Sequence, residues 1–456
     1  AILSDTYKGK TRSYQFNQRE RADGLAALNF IDGIILLNDE EYALLKVIKF
    51  LNPNLLVLGK EFEKSNDIEI LKAIQYINES GKLTQFHAGE IQYASTQLLD
   101  NSRNFLLEEN KKQFRSACLR QNLDLKKMIN YIDSWVDTEL LVIGDTILDQ
   151  YAACEAIGMS AEAPVLVVKE LQKKNFLGGA SIVASHISAL GAKCHFLSVV
   201  GDDNNAKIIE EKLKAQKIES NLIKDISRPT TFKKRYVVEN QKLFRVSRLN
   251  DHLLDKEIEE KMIERLREIA PSLKGIVISD FVYGVITKNL IKEVLFLAKK
   301  YNLMIFGDLQ CSSQIGLITK FNHFSLLCPN EKEARIALQD NDSGLEILSN
   351  KLITTTNSEK LIMKLGAEGF IAYDKVSGGI SKSQSFPSLS VNPVDVAGAG
   401  DSLLAVMSTG MSTENKFMSA AAIACCMTAI AVENMGNIPI ESNQLKNFLS
   451  NIFKTY

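Results

Sequence analysis

The 456-residue chain is 45% hydrophobic and 24% charged with a formal net charge of -1, so neither wholesale disorder nor a nucleic-acid-binding surface is expected. That length favours two or three domains. Seven cysteines without a CxxC pair and only five histidines argue against a structural zinc site and fit a reducing cytoplasm.

The first residues carry charge early and lack an apolar stretch, so no signal peptide is expected there. Without an initiating Met, the chain is expected to begin inside a longer polypeptide. In chain order, the patterns predict helix over 18–29, strand over 33–37, helix over 40–50, strand over 55–58, helix over 68–80 and strand over 83–86. Residues 1–100 thus read as a small α/β unit of alternating type. From 101 to 137, polar residues with Leu, Phe and Ile at helical spacing, uninterrupted by Gly or Pro, predict a helical connector.

Residues 138–456 open on a strand over 139–143. Buried strands follow over 194–200, 275–279, 304–307, 326–328, 361–364 and 370–373, most of them trailed by helical stretches. This is the pattern of a doubly wound sheet, which places ligands at the carboxyl ends of its strands. Residues 230–238 and 242–248 alternate apolar and charged side chains around Glu239-Asn240-Gln241, as a hairpin with one wet face does. A flap over a substrate and an incidental surface hairpin both fit. Its strand edges leave a homodimer through the flap open. The most apolar run, 420–432, is too short to span a bilayer and reads as a core helix, so no membrane partner is expected.

Asn392-Pro393-Val394 reads as an extended lead-in, Asp395 to Gly400 as a Gly-rich turn, and Asp401 as the start of a buried helix. A carboxylate therefore stands at a helix N-terminus directly after small residues. Free backbone N–H groups there can bind phosphoryl oxygens, and Gly398, Ala399 and Gly400 let an anion approach the backbone. Phosphoryl transfer needs mostly positioning and charge stabilisation, plus a base for the alcohol proton, and Asp401 is placed for that role. An N-cap Asp after a Gly turn fits the same letters.

The run Asp395-Val-Ala-Gly-Ala-Gly-Asp401 resembles the D-T-x-G-A-G-D signature of the ribokinase-like (PfkB-type) sugar kinases. Other features fall in that family's order: Gly144-Asp145 through Asp149 after the first strand and Gly178-Gly179-Ala180 opening a helix. Asn330-Glu331-Lys332-Glu333, Lys364-Leu-Gly366-Ala-Glu-Gly369 and the 420–432 helix ending at Glu433-Asn434 complete the series. The resemblance implies an α/β protein with a ribokinase-like doubly wound sheet and a β-flap lid. It also implies transfer of the ATP γ-phosphoryl to a sugar hydroxyl, with Mg2+ and with Asp401 as base. Gly398, Ala399 and Gly400 would form the anion hole. Asp145, Asp149, Gly178, Gly179 and Asp280 would bind the sugar. Asn330, Lys364, Gly366, Gly369 and Asn434 would serve the nucleotide, and Glu333 a magnesium ion through water. A monovalent cation requirement stays open.

Within this family the sequence is most similar to the kinases of D-glycero-β-D-manno-heptose 7-phosphate, on the route to ADP-heptose. Met159-Ser-Ala-Glu162-Ala163-Pro164-Val165 looks like their S-P-E-A-P-V segment, Lys233, Arg235, Asn240, Gln241 and Arg245 match the flap, and Ser279-Asp280-Phe-Val-Tyr283-Gly284 is similar to their S-D-Y-x-x-G turn. A substrate already bearing phosphate needs cations, which Lys233, Lys234 and Arg235 supply, although a solvated face fits that cluster too. Two positions depart: Ile182 replaces an Asn expected on the sugar, and Asp308-Leu309-Gln310 replaces a D-P-K segment whose cation could meet the phosphates.

Residues 1–100 resemble the latter part of the cytidylyltransferase-like nucleotidyltransferases. The matching segments are Ser4-Asp5, Asn17-Gln18-Arg19-Glu20-Arg21, Leu51-Asn52-Pro53 through Gly59-Lys60, and Tyr93-Ala94-Ser95-Thr96. The resemblance implies a partial Rossmann-like domain whose first strand and H-x-G-H motif would precede Ala1, with His87 standing alone. No nucleotidyl transfer is expected from residues 1–100 as they stand. Two further readings remain: a weakly catalytic kinase fold serving binding or assembly, and a PfkB kinase for another sugar or a nucleoside.

Overall fold

The computed structural model describes residues 2, 17–26, 33–38, 40–59, 62, 67–86, 103–239, 241–311, 314–375, 382–391 and 393–454. The chain divides into two compact units, Ala1–Asn101 and Ser102–Tyr456.

In the first unit, helices Gln18–Ala26, Ala43–Leu51 and Ile68–Glu79 accompany a parallel pair, β1 (Leu55–Leu58) and β2 (Leu83–Phe86), in register from Leu55↔Leu83. Ile48, Ala73 and Ile77, at helical spacing on two facing helices, form its small core. The Asp67 carboxylate accepts the Glu69 N–H at 2.9 Å and so starts the third helix. The strand expected over 33–37 is reduced to one bridge between Leu36 and Ile2, and the Gln18 amide donates to the carbonyls of Ile2 and Leu37. Ser4, Asp5, Lys60, His87 and Tyr93 to Thr96 lie outside the described residues, as does the end of the first predicted helix.

The second unit begins with helices Arg103–Arg120 and Leu125–Asp133, within the stretch read as a connector. Phe114, Ala117, Cys118, Met128, Tyr131 and Ile132 bury one side of these helices in the unit's main core. A nine-stranded sheet follows among the described residues. Its strands are β3 (Glu139–Gly144), β6 (Lys193–Val200), β7 (Glu219–Lys224), β10 (Gly275–Asp280), β11 (Met304–Leu309), β12 (Leu326–Leu327), β13 (Lys360–Lys364), β14 (Phe370–Asp374) and β15 (Lys382–Phe386). They lie in the order β15-β14-β13-β12-β11-β10-β3-β6-β7, all running the same way except β14, which pairs antiparallel with both β13 and β15. Side chains of β3 alternate between two cores: Leu140 and Val142 join one, Leu141 and Ile143 the other. Both faces are thus covered by helices, and each fully buried Leu or Ile contributes about 1.5–3 kcal/mol.

A second sheet forms the lid. Strands β4 (Thr146–Met159), β5 (Leu166–Gly179), β8 (Phe232–Val238) and β9 (Gln241–Arg248) pair in the order β5-β4-β8-β9. The expected hairpin is β8 and β9, with Asn240 outside the described residues. The 14-residue strands β4 and β5 widen it. β4 runs parallel to β8 with Asp149↔Lys233 and Tyr151↔Arg235, which carries the flap cations to the mouth of the main sheet.

Candidate active site

The Gly-rich turn ends on Gly398, whose φ of 82° is left-handed and whose Cβ, if present, would stand 2.5 Å from Asn437 Oδ1. From there the chain enters helix Ala399–Thr413, whose middle is fully buried. Gly398 offers no side-chain cap, and the N–H groups of Gly400 and Asp401 have no acceptor among the described residues. Such a helix start has the backbone donors that an anion can accept.

Asp401 is 4% exposed. Gln310, just past β11, donates from Nε2 to Asp401 Oδ1 at 2.9 Å. Lys364, ending β13, donates to both oxygens of Asp308 at 2.8 and 3.0 Å, and its ammonium lies 3.3 Å from where a Gly400 Cβ would be. A cation is therefore fixed against the glycine turn. Burial pushes the Asp401 carboxyl up to about 7, with the Asp308 charge adding to it and Lys364 opposing. Burial opposes the charge on Lys364, but Asp308 and Glu333 outweigh it and raise its pKa above the usual range.

Asn330 and Glu333 stand behind this pair. Asn330 Oδ1 accepts the Glu333 N–H and Glu333 Oε2 accepts the Asn330 N–H, each at 2.8 Å, a reciprocal cap on helix Glu331–Leu338. Glu333 Oε1 also accepts the Cys311 N–H at 3.3 Å. Burial raises its pKa, with Lys364 pulling down and Asp308 pushing up. Asn330 bridges to Lys364, so the N-x-x-E segment and the Lys364 turn meet. Gly369 closes that turn where a Cβ would lie 2.1 Å from the Phe386 carbonyl oxygen, and Gly366 takes a φ of 62°.

The opposite wall is built on Asp145. A Cβ at Gly144 would lie 1.9 Å from the Ser279 carbonyl oxygen, so only glycine lets β3 end this close to β10. Asp145 Oδ2 then accepts the N–H groups of Phe281 and Tyr283 at 2.8 and 3.3 Å, while its buried Oδ1 has no hydrogen-bond partner among the described residues. Burial and then the Asp280 charge raise its pKa. Asp280 itself accepts the Val282 N–H and pairs with Lys320. Asp149 pairs with Arg235, and Gly178 gives it room, since a Cβ there would sit 2.2 Å from Asp149 Oδ2. Gly179, with a φ of 63°, starts helix Ala180–Ala189, in which Ile182 is wholly buried.

Lys233 is 2% exposed, its ammonium 5.2 Å from the ring centres of both Phe281 and Tyr283, and no carboxylate among the described residues pairs with it. Its neighbour Lys234 points to the other face of the lid and pairs with Glu170.

Asn437 joins the two walls. It stands against Gly398, its Nδ2 donates to Asp149 Oδ2 at 3.4 Å and to the Leu177 carbonyl at 3.2 Å, and its buried Oδ1 has no hydrogen-bond partner among the described residues. Sequence reasoning missed it and named Asn434, which is exposed in the same turn. Two other roles escaped it. Asp395 accepts the Tyr151 hydroxyl at 2.6 Å, the Ala397 N–H at 2.9 Å, the Gly436 N–H at 3.2 Å and the Lys242 ammonium, so the lid is tied to the Gly-rich turn. Gln310 was noted as a lost cation, whereas its amide reaches Asp401.

The sequence matches the model of the pfkB family carbohydrate kinases over residues 137–443. A protein of Campylobacter jejuni named Bifunctional protein HldE is 30% identical over 325 residues, 69% of this chain and 66% of that one. A protein of the same name from Geobacter metallireducens is 31% identical over 305 residues, 66% of this chain and 60% of that one. The chain thus spans just under two thirds of the length of these relatives. Among solved structures, ribokinase from Thermotoga maritima superposes with a TM-score of 0.54 at 20% identity, over 69% of this chain and all of that one. Phosphofructokinase-2 from Escherichia coli gives 0.57 at 14%, over 70% of this chain and all of that one. Those two likenesses concern the fold alone. With the family match covering well over half of its residues, the chain belongs to the pfkB family of carbohydrate kinases.

Proposed function

We propose that this kinase transfers the γ-phosphoryl of ATP to a hydroxyl of a sugar that already bears a phosphate, with Asp401 as the base. The observation that carries the reading is the pairing of two sites across Asn437. One is a buried carboxylate on an open helix start beside Lys364. The other is a wall where, among the described residues, Asp145 Oδ1 and Asn437 Oδ1 have no hydrogen-bond partner and the Lys233 ammonium faces two aromatic rings but no carboxylate. Buried polar groups without partners are costly, at about 1–3 kcal/mol each, and sugar hydroxyls and a phosphate would satisfy these.

In the reaction, the acceptor proton passes to the Asp401 carboxylate as the acceptor oxygen bonds the γ-phosphorus. The bond from that phosphorus to the β,γ-bridging oxygen breaks, and ADP leaves. The N–H groups of Gly400 and Asp401, at the turn formed by Gly398, Ala399 and Gly400, face the charge on the phosphoryl oxygens, with Lys364 behind them. Asp145 and Asp149 would hold sugar hydroxyls at the opening left by Gly178 and Gly179, Asp280 would fix the loop that holds Asp145, and Lys233 and Arg235 would meet the substrate phosphate. Asn330, Gly366, Gly369 and Asn434 are assigned to the nucleotide side.

Magnesium suits this site only through water. Both oxygens of Glu333 already accept backbone N–H groups, Asp308 is closed by Lys364, and no cluster of three or more His, Cys, Asp or Glu residues among the described residues could hold a metal. Glu333 would therefore hold an ion through a bound water, in keeping with the few protein ligands magnesium takes. When bound, such an ion neutralises phosphate charge.

The finer reading is D-glycero-β-D-manno-heptose 7-phosphate as acceptor and the 1,7-bisphosphate as product, within ADP-heptose synthesis. It rests on the likeness of the 159–165 segment, the flap cations and the relatives' shared name. The first unit is read as a nucleotidyltransferase-like companion. Ile182, buried where that likeness calls for an Asn, favours a second reading in which another phosphorylated sugar is used. Incubation with ATP, Mg2+ and a panel of sugars and sugar phosphates, followed by phosphorus NMR, tests both. Heptose 7-phosphate should turn over best. Preference for an unphosphorylated sugar contradicts the proposal, and nucleotide binding without turnover favours a binding module.

A further inference from the structure

We propose that Gln310 is a positioning residue for Asp401, holding Oδ1 through its amide so that Oδ2 is presented to the acceptor hydroxyl. The inference rests on the reading of Asp401 as base and adds the group that orients it.

The geometry has three parts. Gln310 is itself pinned, because its backbone N–H donates to the Asp280 carbonyl at 2.8 Å as β11 ends beside β10. Its Nε2 lies 2.9 Å from Asp401 Oδ1 and 3.5 Å from Asp308 Oδ2, so one amide stands between two carboxylates. It also lies 3.8 Å from where a Gly400 Cβ would be, next to the anion turn.

The charges around Asp401 explain why a neutral donor is used there. Asp308 faces it from β11 and Asp149 from the lid, both repelling it, while Lys364 on β13 attracts it. Lys364 is held by both Asp308 oxygens and by the Glu333 charge, and makes no hydrogen bond to Asp401 among the described residues. Among the described residues, Gln310 alone donates to the Asp401 side chain. A carboxylate with one oxygen hydrogen-bonded is restrained from turning, and its second oxygen is left for the proton. An amide does this without adding a positive charge that would make the carboxylate a weaker base.

The test compares Gln310→Leu, Gln310→Lys and Asp401→Asn with the unaltered protein, each checked for native circular dichroism. Carbon NMR of side-chain-labelled aspartate follows Asp401, assigned as the resonance lost in Asp401→Asn. Turnover is measured with heptose 7-phosphate and ATP. Gln310→Leu should lower kcat about 10- to 100-fold with KM for ATP and sugar nearly unchanged, as loss of a hydrogen bond to a charged group predicts. The Asp401 titration should move to higher pH in Gln310→Leu and to lower pH in Gln310→Lys. An unmoved titration in both variants overturns the proposal, as does a rise in KM for ATP at constant kcat. The base reading fails separately, if Asp401→Asn keeps its turnover.

Discussion

Replacing Asp401 with Asn should stabilise the protein above neutral pH. Asp401 is 4% exposed, and its carboxyl is pushed up to about 7 from 3.8 by burial first and by Asp308 second. The folded protein thus holds this proton more tightly than the unfolded chain. The sign follows: the group's contribution is most favourable below pH 3.8, declines as pH rises towards about 7, and stays lost above that. Roughly three pH units at about 1.36 kcal/mol each give an upper bound of about 4 kcal/mol. Water entry and relaxation around a buried charge reduce it, so a gain of about 2 kcal/mol is expected at about pH 8. Asn keeps an oxygen for the Gln310 amide, so that hydrogen bond survives. Urea unfolding of both proteins at about pH 8 and about pH 4 measures the difference, which should shrink towards the lower pH. Equal midpoints at about pH 8, or a gain independent of pH, would refute the reasoning.

Three further outcomes follow from the same geometry. If Asp401 must be ionised, kcat/KM should fall about tenfold per pH unit on the acid side of a midpoint near pH 7, as a pH–rate profile would show. Lys233→Met keeps the packing against Phe281 and Tyr283 but removes the charge; KM for a phosphorylated sugar should rise about 10- to 100-fold while KM for ATP stays put. Lys242→Met removes the lid's charged tie to Asp395, whose side chain is 1% exposed and keeps three neutral donors, Tyr151 of the lid among them. Because Lys242 is itself partly exposed, the cost should be about 1–2 kcal/mol in urea unfolding, with faster proteolysis of the lid.

The parts legible in the sequence are those built from neighbours in the chain. The turn from Asp395 to Asp401 needs glycine at a left-handed φ and small residues at a helix start, so its chemistry is written in seven consecutive letters. Seven of the nine strands of the main sheet are short, mostly buried apolar runs and were predicted within a residue or two, whereas the polar, partly exposed edge strands β7 and β15 were not. What escaped depends on distance along the chain. Strands β4 and β5 pass through Tyr151-Ala-Ala-Cys and Gln172-Lys-Lys, poor in strand-forming residues and held by pairing with each other and with β8. Gln310 meets Asp401 91 positions later, and Asn437 meets Asp149 288 positions earlier; no local spacing encodes either contact. Asn330 and Glu333 were legible twice over, since N-x-x-E is also a capping pattern, and the structure shows that this cap is formed. The stretch read as a connector shows its inward side only once Phe114, Tyr131 and Ile132 have a core to enter.

The most direct test of the account is phosphoryl transfer from ATP to heptose 7-phosphate by the unaltered protein and by Asp401→Asn, at matched folding. Formation of the bisphosphate by the first, with a loss of about a thousandfold or more in the second, is the predicted result for removal of a general base on top of its electrostatic role. An Asp401→Asn protein retaining a tenth or more of the activity would contradict it.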